Sequence, residues 1–209
     1  MTLLRNEEIK ESLKRDKLSD RLVVSPLLDE DQIGPASIDL RLGTEFLIFR
    51  RALTGAVDPS SDAFRTQVNE MQDGLSVPFG RSLYLHPHQF VLGATLEFIR
   101  LPLSVGGYVL GRSSWGRVGL IIATAVMVQP GFAGSLTLEL VNEGDSPIRL
   151  FPGVRIAQLA LHSLDKPTEH HGADRGKYKS PTGPQASKLG DEQEEIQRIS
   201  RLGKALMRP

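Results

Sequence analysis

The sequence predicts a mainly β protein, a barrel or a sandwich, with one short helix near each end. From residue 81 onward, short apolar segments are separated by Gly, Pro and Asn, the spacing of an all-β domain. The clearest segment is 90–98, in which every second residue is apolar (Phe90, Leu92, Ala94, Leu96, Phe98). Strict alternation of this kind is typical of a strand with one buried face.

The first 50 residues predict a helix followed by two strands. Over 6–18, acidic residues come early, basic residues come late, and Ile9 and Leu13 are i,i+4 partners on one apolar face. Gly34 and Pro35 then break the chain. Alternation over 38–42 predicts a strand, and 45–49 continues as a second one.

The remaining elements follow from composition and punctuation. Residues 54–80 are polar and predict a surface excursion with a turn of helix near 62–71. Further strands are expected near 106–111, 120–128, 135–142, 147–150 and 154–163. We predict one domain over residues 1–190, and its last part, residues 164–190, is predicted to form an arm. Residues 191–209 complete a terminal helix that begins near 190, with Asp191 as its N-cap and Ile196, Ile199 and Leu202 on one face.

Charge and cysteine content exclude several classes of function. The chain has 209 residues, with 25 Lys plus Arg, 25 Asp plus Glu and no Cys. A net charge of zero argues against a nucleic-acid or membrane-surface partner. Without Cys there is no disulfide, no thiol nucleophile and no Cys-ligated zinc. No apolar run is long enough to span a membrane, and the charged N-terminus lacks a signal-peptide core, so we expect a cytoplasmic protein.

Two segments are candidates for chemistry. LGRSSWGRVGL (110–120) offers Arg112 and Arg117 for phosphate oxygens, with Ser113 and Ser114 as further donors. The alternative is a polar hairpin rim. In SLTLELVN (135–142), Glu139 shares a strand face with Thr137, opposite to the leucines. A carboxylate there can activate water as a general base, or can simply lie on a solvated face.

A third candidate is Gln158 in the apolar strand 155–161, which is either a ligand-facing residue or a satisfied edge residue. The five histidines do not predict a metal site, because His86 and His88 can share a face but no third ligand is nominated.

Six motifs together resemble the deoxycytidine triphosphate deaminase branch of the trimeric dUTPase-like superfamily, over about residues 21–188. They are GPASIDLRLG (34–43), LYLHPHQFVLGATLE (83–97), GRSSWGRVGL (111–120), PGFAGSLTLEL (130–140), RIAQL (155–159) and GKYKSPTGPQAS (176–187). The resemblance implies a distorted jelly-roll-like β-barrel that forms a homotrimer with active sites between subunits. It also implies zinc-independent hydrolysis of dCTP, or of a related cytosine nucleotide, to dUTP and ammonia, with Mg²⁺ bound through the triphosphate.

The resemblance also assigns roles by motif. Glu139 matches the catalytic glutamate, and Ser113 and Arg117 match residues that organise the water and the base. The backbone carbonyl of Ala125 matches a contact to the reacting region. The remaining matches bind substrate: Arg112, Ser114, Gln158 and Lys177 for the phosphates, together with Thr137 and Gln129. Residues 164–190 match a C-terminal lid.

The sequence departs from the family pattern at three positions. Gln129 stands where an Asp contacts the deoxyribose, Pro181 where a Gln stands in the lid, and His170 where a Tyr is common. An amide cannot act as a base toward water, so Gln129 argues against the alternative of a bifunctional enzyme that also hydrolyses dUTP to dUMP. A second alternative is a regulator of the same fold that binds nucleotide without turnover.

Overall fold

The computed structural model describes residues 2–50, 56–123, 127–168 and 181–206. The strands are β1 (Thr2–Leu3), β2 (Val23–Ser25), β3 (Ser37–Arg41), β4 (Glu45–Phe49), β5 (Gln72–Ser76), β6 (Leu83–Leu85), β7 (Phe90–Ala94), β8 (Phe98–Arg100), β9 (Val105–Gly111), β10 (Leu120–Ile122), β11 (Met127–Val128), β12 (Ala133–Gly134), β13 (Thr137–Asn142), β14 (Ile148–Leu150) and β15 (Arg155–Ser163). The helices are α1 (Asn6–Lys14), α2 (Phe64–Glu70), α3 (Ser113–Gly116) and α4 (Gln193–Leu206).

These strands pair in antiparallel ladders that form four sheets around one core. The first has the order β1-β15-β9-β11, with β3 also paired to β15, and the second has the order β10-β13-β7-β4-β5. The smaller sheets are β12-β8-β2 and β14-β6. All four contribute side chains to a single apolar cluster. The predicted mainly β, jelly-roll-like fold with short terminal helices is therefore confirmed.

The second sheet positions the candidate acid because both of its faces are covered. On β13, Leu138 and Leu140 are fully buried in the core. Across the opposite face, α2 contributes Phe64 and Val68, which are 2% and 8% exposed, to a cavity that Glu139 also lines. The excursion predicted for 54–80 therefore contains the predicted turn of helix, with only one side of it buried, and it also contains β5, a strand that the polar composition concealed.

The terminal helices differ from the prediction at their ends. The first ends at Lys14 instead of 18, because Arg15 turns to an extended conformation and Leu18–Asp20 forms a 3₁₀ turn. Asp191 is not the N-cap of α4. It lies in the 3₁₀ turn Leu189–Glu192, and its carboxylate forms an ion pair with Arg65 of α2 at 2.6 Å. The predicted apolar face of α4 is not buried within the subunit, since Ile199 and Leu202 are each 58% exposed.

Two predicted strands are each divided in the structure. The alternating run 90–98 splits into β7 and β8, because the Thr95 hydroxyl donates to the carbonyl of Glu97 at 2.8 Å and accepts from the amide of Leu136 at 2.9 Å. These bonds turn the chain after Ala94. The run 120–128 contains β10 in the second sheet and β11 in the first. Periodicity within one strand carries no information about such a change of partner.

Candidate active site

Glu139 lies in the middle of β13, on the face turned away from the core. Thr137 shares this face, and both residues line a cavity of about 430 Å³. A volume of this size is within the range of small-molecule sites. At this position Glu139 is half-buried and lines a cavity instead of a flat exposed surface, and its role as a general base stays a prediction.

The walls of this cavity are mainly apolar. The sheet contributes Phe49, Phe90 and Leu92, and α2 contributes Phe64 and Val68. Leu92 is the direct cross-strand neighbour of Glu139 in the β7–β13 ladder. The carboxylate of Glu139 therefore faces mainly apolar walls.

The chain segment 181–189, which we call the cover segment, closes one side of the cavity. Its Pro181 carbonyl accepts the amide of Ser135 at 2.7 Å. The amide of Gln185 donates to the hydroxyl of Thr137 at 3.1 Å. These bonds attach the cover segment at the N-terminal end of β13, the strand that carries Glu139.

The arginine-serine segment lies elsewhere, at the end of β9. The amide of Arg112 donates to the carbonyl of Ile156 at 3.3 Å, and the indole of Trp115 donates to the carbonyl of Arg155 at 2.9 Å. The segment is thereby fixed to β15. Ser113, Ser114 and Arg117 are exposed on this short helical turn.

Arg112 and Gln158 come together around a residue that the sequence analysis did not single out. The Gln158 amide donates to one oxygen of Asp39 at 2.9 Å, and the Arg112 guanidinium lies 3.7 Å from the other oxygen. Asp39 is only 8% exposed. The sequence did contain one signal for Asp39, because it is an acid within the alternating strand 37–41. Its partners could not be predicted, since they are distant in sequence.

An ion network extends from Asp39. Arg155 lies 3.5 Å from Asp39 and 2.5 Å from Asp29, and Asp29 also contacts Arg41 at 2.6 Å. The hydrogen bond from Arg155, with the charges of Arg155 and Arg41, holds the pKa of Asp29 below its usual value. Reciprocally, the hydrogen bond and charge of Asp29, with smaller effects of the Asp39 and Asp31 charges, raise the pKa of Arg155.

Glu97 is a second buried acid that the sequence analysis passed over. It is fully buried, and it accepts hydrogen bonds from the Gln32 side chain at 2.7 Å and from the Arg41 amide at 2.9 Å. Burial raises the pKa of Glu97, although these hydrogen bonds and the charge of Arg41 oppose the shift. Its partners show that it ties the β3 backbone to the core.

The predicted site residues thus fall into two groups within one subunit. Glu139 and Thr137 line the cavity. The arginine-serine segment and Gln158 do not contribute to the cavity lining. Gln129 is also outside it, exposed in a turn in which its carbonyl accepts the amide of Phe132 at 3.1 Å. Ala125 and Lys177 lie outside the described residues, and the predicted roles of all these side chains stay predictions.

Within the described ranges, no three His, Cys, Asp or Glu side chains are grouped so that they could hold a metal ion. No helix in this part of the chain has the length and apolar character needed to cross a membrane. The acids nearest to Arg112 are already engaged by arginines, so this region offers cationic and amide donors for an anion.

The fold and the cavity define the class of the protein as a mainly β, jelly-roll-like protein with a cavity of small-molecule size. The backbone superimposes on the crystal structure of 2'-deoxycytidine 5'-triphosphate deaminase from Agrobacterium tumefaciens with a TM-score of 0.56. The match has 23% sequence identity and covers 77% of this chain and 47% of that chain, and it shows the shared fold.

Sequence comparison gives the family. The family model described as dCTP deaminase-like matches residues 3–164. A relative named dCTP deaminase from Natronomonas pharaonis is 45% identical over 177 residues, covering 83% of this chain and 89% of the relative. A relative named dCTP deaminase, dUMP-forming, from Methanobrevibacter smithii is 36% identical over 193 residues, covering 90% and 96%. The chain belongs to the dCTP deaminase-like family, which confirms the resemblance drawn from its six motifs and the prediction of an enzyme.

Proposed function

We propose that the protein hydrolyses the 4-amino group of dCTP without zinc and releases dUTP and ammonia. The observation that carries the proposal is Glu139, an acid that lines a mostly apolar cavity of about 430 Å³ at the centre of a family-matched strand. The proposal extends to this chain the substrate named for its relatives.

The chemistry needs one base and one water. Glu139 accepts a proton from water, and the hydroxide forms a bond to C4 of the cytosine ring. The proton passes to N3, and the proton of the new C4 hydroxyl is delivered to the amino group. The C4–N bond then breaks to release ammonia as the C4 carbonyl forms. The reaction balances as dCTP plus water giving dUTP plus ammonia. Thr137, on the same strand face, lies where it can fix the orientation of the cytosine ring.

The triphosphate is assigned to the donors at the end of β9. The Arg112 side chain is one third exposed, and Ser114 is exposed. A guanidinium and hydroxyl donors suit phosphate oxygens. Mg²⁺ would enter with the triphosphate and would neutralise part of its charge.

A single subunit does not unite these two groups, and we therefore propose a homotrimer with shared sites. The cavity of one subunit would receive the arginine-serine segment of its neighbour. The exposed apolar side chains of Tyr108, Leu110 and Ile121, which are 38%, 52% and 47% exposed, supply surface that an interface would cover. In this arrangement Arg117 of the neighbouring subunit would pair with Glu139 across the interface. The expected cytoplasmic location stays a prediction.

A second candidate function is favoured by the names of several relatives. The Methanobrevibacter smithii protein and a 41% identical protein from Halobacterium salinarum are both named dCTP deaminase, dUMP-forming. In that reaction a second water also cleaves the triphosphate, so that dCTP and two waters give dUMP, ammonia and pyrophosphate. Gln129 favours the first candidate, because its amide cannot activate the second water.

One assay distinguishes the candidates. Purified protein with Mg²⁺ is incubated separately with dCTP, CTP, dCMP and dUTP, and the products are resolved by chromatography. We expect dUTP and ammonia from dCTP, with no pyrophosphate from dUTP. Formation of dUMP and pyrophosphate would establish the second candidate, and unchanged dCTP would refute both.

The role of Glu139 is tested with Glu139→Gln, which keeps the shape and removes the base. We expect kcat to fall by about 10²–10⁴ while dCTP still binds. Glu143→Gln is the matched control, because Glu143 is exposed four residues further along the same chain segment. Near-normal turnover of Glu139→Gln would show that another group acts as the base.

A further inference from the structure

We infer that Asp39 is a positioning residue, which holds Arg112 and Gln158 in place for the triphosphate. The inference rests on the proposed function, because it takes these two side chains as phosphate ligands. Asp39 itself is an anion and would repel a triphosphate, so its place between two phosphate ligands needs a physical reason.

The first step of the argument is geometric. Asp39 on β3 and Gln158 on β15 are direct cross-strand partners in the sheet. One oxygen of Asp39 accepts the Gln158 amide at 2.9 Å, and the other lies 3.7 Å from the Arg112 guanidinium. A single carboxylate therefore contacts two side chains, one on β15 and one directly after the end of β9.

The second step is that the carboxylate is itself held. Arg155 lies 3.5 Å from Asp39 and is anchored at 2.5 Å to Asp29, which also binds Arg41 at 2.6 Å. Asp39 is 8% exposed and sits in a paired strand. Because its backbone and its charge partner are both fixed, Asp39 can transmit a fixed geometry to Arg112 and Gln158.

The third step concerns the charge left for a ligand. The carboxylates of Asp29 and Asp39 are in direct contact with three guanidiniums, which belong to Arg41, Arg112 and Arg155. Asp31 adds a more distant negative charge near Arg155. Arg41 and Arg155 each hold a close contact with Asp29. Arg112 has only the longer 3.7 Å contact with Asp39, and its side chain is one third exposed. A guanidinium has five N–H donors, so most of those on Arg112 can still be offered to an anion.

The two possible effects of Asp39 have opposite signs. If its charge acted only at a distance, removing it would strengthen triphosphate binding, because like charges repel. If it positions Arg112 and Gln158, removing it weakens binding, since the ordering of both side chains must then be supplied on association.

The experiment compares Asp39→Asn with the parent enzyme. Asn keeps an oxygen for the Gln158 amide and loses the charge that holds Arg112. We expect KM for dCTP to rise about tenfold with kcat within about twofold, and a much smaller change for dCMP. Asp73→Asn is the control, because it removes an exposed ion pair with Arg50 remote from this network. It should leave both constants unchanged.

Direct binding separates this inference from the proposed function. Affinity for dCTP is measured by calorimetry in a Glu139→Gln background, which binds without turnover if the proposed function holds. If the parent binds dCTP but does not deaminate it, the proposed function fails while the effect of Asp39→Asn on affinity can still be measured. In an Arg112→Ala background, Asp39→Asn should cost clearly less affinity than it does alone, because the two act through one contact.

Asp39→Glu keeps the charge and moves it by one methylene group, and it decides the question if the Asn variant does not fold. Positioning predicts weaker triphosphate binding for Glu as well. Unchanged or tighter binding of dCTP by either folded variant, or fully additive losses with Arg112→Ala, would overturn the inference.

Discussion

Replacing Gly134 by Ala tests how the cover segment is attached over the Glu139 cavity. Gly134 has φ +147°, a conformation that residues with a side chain rarely adopt. A Cβ atom added there would lie 2.4 Å from Cδ and 2.8 Å from the backbone N of Pro181. Both distances are far below ordinary contact, and the obstacle is backbone and ring, so the cover segment must move away.

The magnitude follows from the contacts that this movement breaks. The bonds from Ser135 to Pro181 and from Gln185 to Thr137 are lost, at about 0.5–1.5 kcal/mol each. The strained backbone adds about 1–3 kcal/mol. The total is about 2–6 kcal/mol, which is relieved more easily by local opening of the cover segment than by global unfolding.

Hydrogen exchange at the Gln185 amide measures this opening directly. A cost of at least about 2 kcal/mol predicts exchange at least about 30-fold faster than in the parent. Cleavage by protease within 181–189 should accelerate in parallel, and KM for dCTP should change because one wall of the cavity is displaced. Circular dichroism checks that the sheets remain intact.

Gly74→Ala is the matched control. Gly74 is also a strand glycine, but nothing lies within 4 Å of its added Cβ, so the change should alter stability by no more than about 0.5 kcal/mol. If Gly134→Ala exchanges and is cleaved like the Gly74 variant, the cover segment is not held by the contacts described, and the reasoning is refuted.

Three further predictions concern the core, the assembly and deoxynucleotide binding. The raised pKa of Glu97 means that the folded state holds its proton more tightly than the unfolded state, whose carboxyl keeps its ordinary value of 4.5. The free energy of unfolding of the parent, relative to that of Glu97→Gln, should therefore fall as the pH rises from about 4.5 through the raised pKa. Denaturant titrations measure this difference, and a difference that stays constant with pH would contradict the shift. Arg112→Ala and Glu139→Gln should each be nearly inactive alone, but co-expression at equal levels should restore about a quarter of the sites if each site is shared by two subunits; no activity above the single variants would argue against shared sites. Gln129→Asp should strengthen deoxynucleotide binding by supplying a carboxylate acceptor, and unchanged affinity would mean that the amide already serves.

Much of the fold could be predicted from the sequence because local patterns determine local structure. The strand 45–49 was predicted with the bounds that the structure has, and the outward face of 137–142 followed from alternation alone. The errors fell where tertiary contacts override a local pattern. Thr95 turns an alternating run because its hydroxyl bonds to two backbone groups, and Gln72–Ser76 becomes a strand because β4 offers it an edge.

For the candidate site, the sequence by itself determined the chemical types and the family, because motif order and spacing are properties of the chain. It identified Glu139, Arg112 and Gln158 as candidates but did not predict which side chains surround them in the fold. Only the tertiary structure decided that Glu139 faces a covered cavity and that Asp39 contacts both Arg112 and Gln158. Asp39 and Gln158 are 119 residues apart in the chain and meet only because β3 and β15 pair. Pairing between distant strands depends on the free energy of the whole core, and no local pattern encodes it.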